Sequence, residues 1–276
     1  MSQRLIGIIL VIMSASAFGT TGVLTKGVEA DAGSVLFWRC LSGAIFALVY
    51  LALRKQVRQE FAKWSFASFQ ATLCLSVGTI LLMNAYKLTS VANVGVIWAS
   101  APFFAAILSW MLLKERPSRL VSLCSLAAFL GAFLAIGQSG FSGHSFGDLF
   151  VVVMNICMAF LMIIYRRHPD LSATLPAIIS SLLVPLAVIG WTEPLDNSPK
   201  EVMILIASGF VYVFSMVTML EGAKRLSPVE VTLLGSIEVP LSILLAYLII
   251  AEDVSFTTII GASIVMIAVI VASKPS

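Results

Sequence analysis

Long runs of apolar residues alternate with short polar segments along the whole chain. The runs lack the period-two alternation that marks the strands of a membrane β-barrel, so they predict helices. A helix that crosses a bilayer needs roughly 20 apolar residues. The pattern therefore predicts ten membrane-spanning helices, numbered spans 1 to 10 from the N-terminus: residues 5–24, 33–53, 65–86, 90–113, 119–138, 147–165, 174–191, 202–220, 228–250 and 255–273.

The composition supports a protein embedded in a membrane. Hydrophobic residues make up 59% of the chain and charged residues 11%, whereas soluble domains contain about 45–50% and about 25%. So few charges cannot keep this much apolar surface soluble in water. None of the polar segments is long enough for a soluble domain, so the sequence predicts an all-α membrane protein.

The N-terminal segment allows two interpretations. Arg4, an apolar run and the tripeptide Ala15-Ser16-Ala17 resemble a signal peptide with its cleavage site. The alternative is an uncleaved first span. We favour the span, because the apolar run continues through Leu24.

Basic residues predict the orientation of the spans, because lysine and arginine concentrate in cytoplasmic loops. With the N-terminus inside, one alternating assignment places these basic residues in the cytoplasm: Arg4, Arg54, Lys55, Arg58, Lys63, Lys114, Arg116, Arg119, Arg166, Arg167, Lys224, Arg225 and Lys274. The outer segments receive only Lys26, Lys87 and Lys200, and Arg39 lies within span 2. This excess of basic residues in the segments assigned to the cytoplasm supports ten spans and predicts that both termini are cytoplasmic.

The two halves of the chain resemble each other. Pro102 and Pro240 lie 138 positions apart in a chain of 276 residues. Leu88-Thr89-Ser90-Val91 precedes the first proline as Leu226-Ser227-Pro228-Val229 precedes the second. Five spans in each half is an odd number, so the second copy enters the membrane from the opposite side. The sequence predicts inverted repeats over residues 1–138 and 139–276, an architecture typical of secondary transporters.

These segments resemble the repeat of a known transporter family. Residues 85–93 with Pro102 and Glu115, and residues 223–228 with Pro240 and Glu252, are similar to EamA-type repeats. Arg39 resembles the arginine early in the second span of that family. The chain is thus identified as a member of the drug/metabolite transporter superfamily, similar over essentially its whole length to ten-span exporters such as the YddG-type aromatic amino acid exporters.

The resemblance implies export across the bacterial inner membrane and a central cavity lined by spans 1, 3, 4, 6, 8 and 9. The two repeats differ at Glu230 and Glu238, where the first has Ala92 and Ser100. The two halves therefore need not contribute equally to a binding site.

Two features of span 9 and its counterpart in span 4 are candidate site elements. Glu238 lies near the middle of the bilayer, where a charge costs at least about 2.5 kcal/mol. We interpret it as a ligand for an amine or as a site of proton coupling, with a structural brace as the alternative. Pro102 and Pro240 each remove a helical hydrogen bond and predict either exposed backbone at the cavity or a tolerated kink.

The other candidate substrate-binding residues are aromatic or uncharged polar side chains within the spans. They are Phe18, Tyr86, Trp98, Tyr212, Asn84, Ser100, Asn155 and Ser236, and Phe103 is a further aromatic candidate. The aromatic residues are suited to stacking on a substrate, or to packing against lipid. The polar residues are equally suited to bonds between helices. Arg39 has three open roles, which are binding a substrate carboxylate, reaching the outer interface and bracing a neighbouring helix.

Several classes of function are disfavoured by the sequence. Cys40, Cys74, Cys124 and Cys157 all lie in apolar segments without a CxxC spacing, and His144 and His168 are isolated, so we expect neither a disulfide nor a metal site. The chain carries no GxSxG, Walker A or HExxH motif, so we expect no enzyme, no cofactor and no direct use of ATP.

The sequence predicts a secondary transporter that exports small metabolites, foremost amino acids and among them aromatic ones, by alternating access. Its expected partners are a small-molecule substrate and the lipid bilayer, without nucleic acid, and a monomer is compatible with the sequence. One alternative is a carrier of drugs, nucleotide sugars or other metabolites on the same scaffold. Another is a membrane scaffold that transports nothing.

Overall fold

A computed structural model describes residues 2–88, 91–98, 100–115, 118–136, 145–250 and 256–273. Within these ranges every regular element is a helix. Some residues that enter the predictions lie outside the described residues: Thr89, Ser90, Arg116, His144, Glu252, Asp253 and Lys274, together with the side chains of Lys26, Ala92 and Phe103.

Seven of the predicted spans are single helices in the described chain. They are α3 (Ala32–Leu53), α5 (Phe66–Leu88), α8 (Arg119–Ile136), α9 (Ser145–Arg167), α10 (Thr174–Val188), α11 (Pro199–Ala223) and α14 (Phe256–Ser273). Spans 1, 4 and 9 are each divided in two, as α1 (Gln3–Phe18) with α2 (Thr21–Lys26), α6 (Val91–Trp98) with α7 (Ala101–Leu113), and α12 (Pro228–Gly235) with α13 (Glu238–Ile250). A short helix, α4 (Val57–Ala62), and a 3₁₀ turn (Pro194–Asp196) lie between spans.

Six stretches of the described chain are long and apolar enough to cross a membrane, and they include divided spans 1 and 9. Large apolar side chains such as Ile45, Leu123 and Leu186 are more than half exposed on the outside of the bundle. Exposed apolar surface on this scale is unfavourable in water and favourable in lipid. The protein is therefore a multi-pass membrane protein.

The breaks in spans 4 and 9 occur at equivalent points of the two repeats. In span 4, α6 ends at Trp98 and α7 begins at Ala101, and in span 9, α12 ends at Gly235 and α13 begins at Glu238. Each proline lies in the first turn of the second helix of its span. The first backbone N–H groups of a helix have no partner within it, so proline is tolerated there. The prolines therefore begin new helices instead of kinking continuous ones.

Span 1 was predicted as one helix, and the structure divides it at Gly19–Thr20. The Thr20 hydroxyl donates a hydrogen bond to the carbonyl of Ala17. A Cβ atom at Gly19 would lie 3.1 Å from Leu241 of α13. The small residue at this break therefore lets span 1 approach the second half-helix of span 9.

The most extensive helix contacts join the two halves of the chain. They are the pairs α8–α14, α5–α9, α3–α11 and α1–α11. Exchanging each span with the one five places away converts α5–α9 into α1–α11 and returns α8–α14 to itself. The packing thus has the two-fold pattern of a pair of repeats, and the two sets of five spans interlock.

Glycines and small residues allow the closest of these approaches. A Cβ atom at Gly222 of α11 would lie 2.5 Å from Val11 of α1 and 3.2 Å from the carbonyl oxygen of Gly7. Further along, the Ser14 hydroxyl donates to the carbonyl of Ser215 at 2.7 Å. Since increasing numbers in α1 meet decreasing numbers in α11, the two helices are antiparallel.

Candidate functional site

A cavity lies in the centre of the bundle, between the broken spans 4 and 9 and the spans around them. Its empty space is about 830 Å³, counting the part open to solvent. Spans 1, 3, 4, 6, 8 and 9 line it, the set that the resemblance implied, and Arg39 of span 2 joins them. Two oppositely charged residues, Arg39 and Glu238, therefore face one mostly apolar space.

The Glu238 carboxylate reaches the cavity from the first residue of α13. The break in span 9 places this carboxylate at a helix N-terminus, where the helix dipole favours negative charge. Among the described residues, no hydrogen bond or ion pair satisfies the carboxylate. Glu238 therefore has the position and the free oxygens to bind a cation or a hydrogen-bond donor.

The Arg39 side chain is buried, with only 2% of its surface exposed. Nη1 donates to the sulfur of Met83 at 3.0 Å, and the guanidinium carbon lies 4.6 Å from the centre of the Tyr212 ring. Nε is buried without any hydrogen-bond partner. The arginine thus lies inside the bundle and does not reach its surface.

Four aromatic side chains line the cavity: Phe18, Tyr86, Trp98 and Tyr212. Tyr212 is buried, and its hydroxyl is 3.0 Å from the hydroxyl of Thr79. Trp98 is half-buried at the end of α6, beside the break in span 4. An apolar or aromatic group in the cavity would therefore meet ring surfaces from several spans.

Sequence reasoning did not identify the methionines of the cavity. Five of them line it: Met83, Met154, Met158, Met216 and Met219. The spacings of three and four residues place Met154 with Met158, and Met216 with Met219, on one face of α9 and of α11. These methionine pairs on one helix face were the indication in the sequence that methionines line the cavity. Methionine is also an ordinary core residue, so the sequence did not distinguish lining a cavity from packing in the core.

The remaining predicted residues lie outside the lining in the described structure. They are Asn84, Ser100, Pro102, Asn155, Ser236 and Pro240. Asn84 donates to the carbonyl of Ile80 in its own helix, and Ser236 likewise donates to Thr232. The prolines begin the half-helices next to the cavity.

Asn155 connects α9 to the broken span 4. Its Nδ2 donates to the carbonyl of Ile97 at 2.5 Å and to the hydroxyl of Ser100 at 3.2 Å. The Ile97 carbonyl, in the last turn of α6, also accepts hydrogen bonds from the backbone N–H of Ser100 at 3.0 Å and from the Ser100 hydroxyl at 2.5 Å. Asn155 therefore adds a donor from α9 to a carbonyl that is already bonded within span 4, and it acts in this structure as a bond between helices.

The chemistry available in the cavity is binding. Within the described ranges, no group of three or more histidine, cysteine, aspartate or glutamate side chains is arranged to hold a metal ion. The lining offers one carboxylate, one guanidinium, aromatic rings and thioethers. This set suits a small molecule with an apolar body and charged ends.

Comparisons with known proteins agree with this description. The model of the EamA-like transporter family matches the chain twice, over residues 5–137 and 145–274. A solved structure described only as a crystal structure of a protein superposes with a TM-score of 0.80 at 18% identity, covering 98% of this chain and 96% of that one. That likeness shows the fold alone.

Two curated relatives are similar over most of the chain. Uncharacterized transporter YyaM of Bacillus subtilis is 24% identical over 255 residues, which is 86% of this chain and 82% of the relative. Uncharacterized transporter sll1164 of Synechocystis sp. is 24% identical over 242 residues, which is 80% of this chain and 67% of the relative. Both are described as transporters, without a substrate.

Proposed function

This chain belongs to the EamA-like transporter family, and from that premise we propose that it exports amino acids with apolar or aromatic side chains from the cytoplasm by alternating access. As a member of this family it is a membrane transporter and not an enzyme. The proposal adds the substrate class, the direction and the residues that bind.

The observation that carries the proposal is the unsatisfied Glu238 carboxylate in an aromatic cavity between the two repeats. An ammonium group pairs well with a carboxylate that has no other partner, and the low dielectric of the bundle strengthens the pair. Trp98 and Phe18 offer ring surface for the substrate side chain. An amino acid therefore satisfies the buried charge and fills the apolar space together.

Alternating access requires parts that move, and the broken spans are suited to that role. The two repeats contact each other through the most extensive interfaces of the described chain, so separating them as rigid bodies would break most of the packing. The breaks of spans 1 and 9 contain i→i−3 hydrogen bonds, such as Thr20 N–H to Ala17 and Ile237 N–H to Leu234, which interrupt the regular α-helical pattern. We propose that residues 1–138 and 139–276 form the two repeats, and that the half-helices of the broken spans tilt to open the cavity on alternate sides.

The orientation is proposed from the charge distribution, since the excess of lysine and arginine in alternate loops supports cytoplasmic termini. The export direction and the inner-membrane location are proposed from the resemblance to ten-span exporters. Reporter fusions at the N- and C-terminus, one active only in the cytoplasm and one only outside it, test this orientation. Activity of the outside reporter at either end would contradict it.

Counterflow in proteoliposomes tests the substrate. We expect vesicles loaded with unlabelled L-phenylalanine to accumulate labelled L-phenylalanine, and the Glu238→Gln variant to lose this uptake by about tenfold or more, because the charge partner of the ammonium group is gone. Glu60→Gln is the matched control, since Glu60 pairs with Lys63 on the surface of the protein. Wild-type vesicles that accumulate no amino acid of a full panel would refute the substrate class.

A second candidate function is a carrier of apolar cationic drugs, and the five methionines of the cavity favour it. Methionine is unbranched and polarizable, so methionine-rich surfaces adapt to varied ligands. Competition of such drugs with labelled L-phenylalanine, measured in the same vesicles, separates the two candidates. A nucleotide sugar fits the cavity less well, because its phosphates need several cations and Arg39 is the one cation among the described lining residues.

A scaffold without transport is disfavoured by family membership. It predicts that Glu238→Gln leaves the cellular phenotype unchanged.

A further inference from the structure

The cavity contains a second unsatisfied charge that the proposed function has not used. Arg39 enters it from span 2, and Glu238 enters it from span 9. The two side chains have opposite charges, yet in the described structure they form no ion pair with each other. They therefore leave space between a cation and an anion within one site.

The environment of Arg39 compensates its charge incompletely. A guanidinium group has five N–H donors, and in the described structure its partners are the thioether of Met83 and the ring of Tyr212. A thioether is a weak acceptor, and Nε is buried without any acceptor. Because a buried charge without a strong partner costs several kcal/mol, this site favours binding of an anion.

The surroundings also fix the direction in which the guanidinium points. The guanidinium carbon lies over the Tyr212 ring at 4.6 Å from its centre, and the Tyr212 hydroxyl is 3.0 Å from the hydroxyl of Thr79. Met83 occupies the direction of Nη1. A planar, oriented guanidinium is suited to bidentate binding of a carboxylate.

We propose that Arg39 forms a carboxylate subsite of the transport cavity, with Tyr212 and Met83 as positioning residues. This inference rests on the proposed function and deepens it. The substrate carboxylate binds Arg39, the ammonium group binds Glu238, and the side chain lies among the aromatic rings and methionines. A ligand that has the carboxylate and lacks the amine still occupies the Arg39 subsite.

The test uses three probes that share one aromatic body. They are 3-phenylpropionate, its neutral amide 3-phenylpropanamide, and the cation phenethylamine. Binding to the purified full-length protein is measured by the ligand-dependent shift in melting temperature. We expect the wild-type protein to bind 3-phenylpropionate at least about tenfold more tightly than the amide, since a charge-assisted hydrogen bond is worth about that factor.

Variants assign the binding to the residue. Arg39→Gln is expected to weaken 3-phenylpropionate binding by about tenfold or more, and Arg39→Lys to recover only part of it because lysine lacks the planar fork. Glu238→Gln is expected to keep 3-phenylpropionate binding and to lose phenethylamine binding. Arg54→Gln is the matched control, since Arg54 also lies beside a tyrosine ring, Tyr50 at 5.3 Å, but outside the cavity.

The binding experiments can fail independently of the counterflow experiment that tests the proposed function. Equal binding of the carboxylate and the amide by the wild-type protein would overturn the subsite, even if Arg39→Gln fails to fold. Unchanged 3-phenylpropionate binding in a folded Arg39→Gln variant would overturn it as well. Absence of amino acid counterflow with charge-dependent 3-phenylpropionate binding intact would refute the proposed substrate and leave the subsite standing.

Discussion

Gly43 of α3 and Gly209 of α11 face each other at a close contact between the two repeats. A Cβ atom at Gly209 would lie 2.8 Å from the backbone nitrogen of Gly43, and a Cβ atom at Gly43 would lie 3.1 Å from the carbonyl oxygen of Gly209. The side chains of Ser42 and Val213 are also within clashing distance of the added atoms, but the backbone atoms cannot rotate away as a side chain can. The backbones of the two helices therefore touch, as small residues allow in membrane helix pairs.

This contact predicts that Gly209→Ala destabilises the protein. The added methyl group forces α3 and α11 apart, and such overpacking costs about 1–3 kcal/mol. The melting temperature of the purified protein is the measurement. Gly190→Ala is the control, because a Cβ atom there would meet nothing within 4 Å. Equal melting temperatures for the two variants would show that the helices separate without cost.

The bond between Asn155 and the broken span 4 predicts a second loss of stability. Asn155→Ala removes the donor that bonds the Ile97 carbonyl and the Ser100 hydroxyl. A single hydrogen bond contributes about 0.5–1.5 kcal/mol net, and the Ile97 carbonyl keeps its bonds from Ser100, so we expect a modestly lower melting temperature. Asn84→Ala is the comparison, because Asn84 bonds only within its own helix, and its effect on melting should be smaller. A larger effect for Asn84→Ala would contradict the role given to Asn155.

Asp31 predicts a dependence of stability on pH. Burial raises the pKa of Asp31, but hydrogen bonds from Ser34 and Thr192 and the backbone N–H of Gly33 outweigh it and hold the pKa below the usual value of 3.8. The Asp31 carboxylate is the N-cap of α3, and it accepts a hydrogen bond from the Thr192 hydroxyl at 2.9 Å. Its stabilising contribution is therefore complete above the unfolded value of 3.8 and lost as the pH falls through the lower folded pKa.

Asp31→Ala should therefore lower the apparent free energy of unfolding by about 1 kcal/mol at pH 7, the typical value of a helix N-cap. Below the folded pKa the difference from wild type should shrink, since the wild-type carboxyl is then protonated. Melting curves at pH 7 and at acid pH give the comparison. Asp170→Ala, at an exposed turn, is the control and should leave the stability equal to that of the wild type. If Asp31→Ala were less stable than the wild type by the same amount at every pH, the stabilising role given to the Asp31 carboxylate would be contradicted.

Trp98 predicts a change in substrate preference. Trp98→Ala should weaken binding of L-phenylalanine by about tenfold and that of L-alanine much less, because the lost ring contacts the substrate side chain and not its charged groups. Competition for counterflow measures both affinities. Trp191→Ala is the control, since Trp191 is 91% exposed. An equal loss for both amino acids would place Trp98 outside the side-chain pocket.

The positions of the candidate residues were predictable only in part. Glu238, Trp98, Tyr86, Tyr212, Phe18 and Arg39 were chosen from sequence, and the structure brings them together around one cavity. Charges and aromatic rings inside apolar spans are unusual enough to be recognised. Methionines such as Met158 and Met216 were not recognised, because a methionine that lines a cavity and a methionine in an apolar core have the same pattern in a single sequence.

The sequence by itself determined the apolar spans, the membrane environment and the pairing of Pro102 with Pro240. Each depends on apolar length, charge and spacing, which are local properties of the chain. Only the tertiary structure decided that each proline lies in the first turn of a half-helix and that Asn155 of α9 bonds to the end of α6. It also decided that Arg39 and Glu238 share a cavity without forming an ion pair. These relations depend on which helices lie side by side, and hydrogen bonds and burial between residues more than 50 positions apart are fixed only when the spans pack.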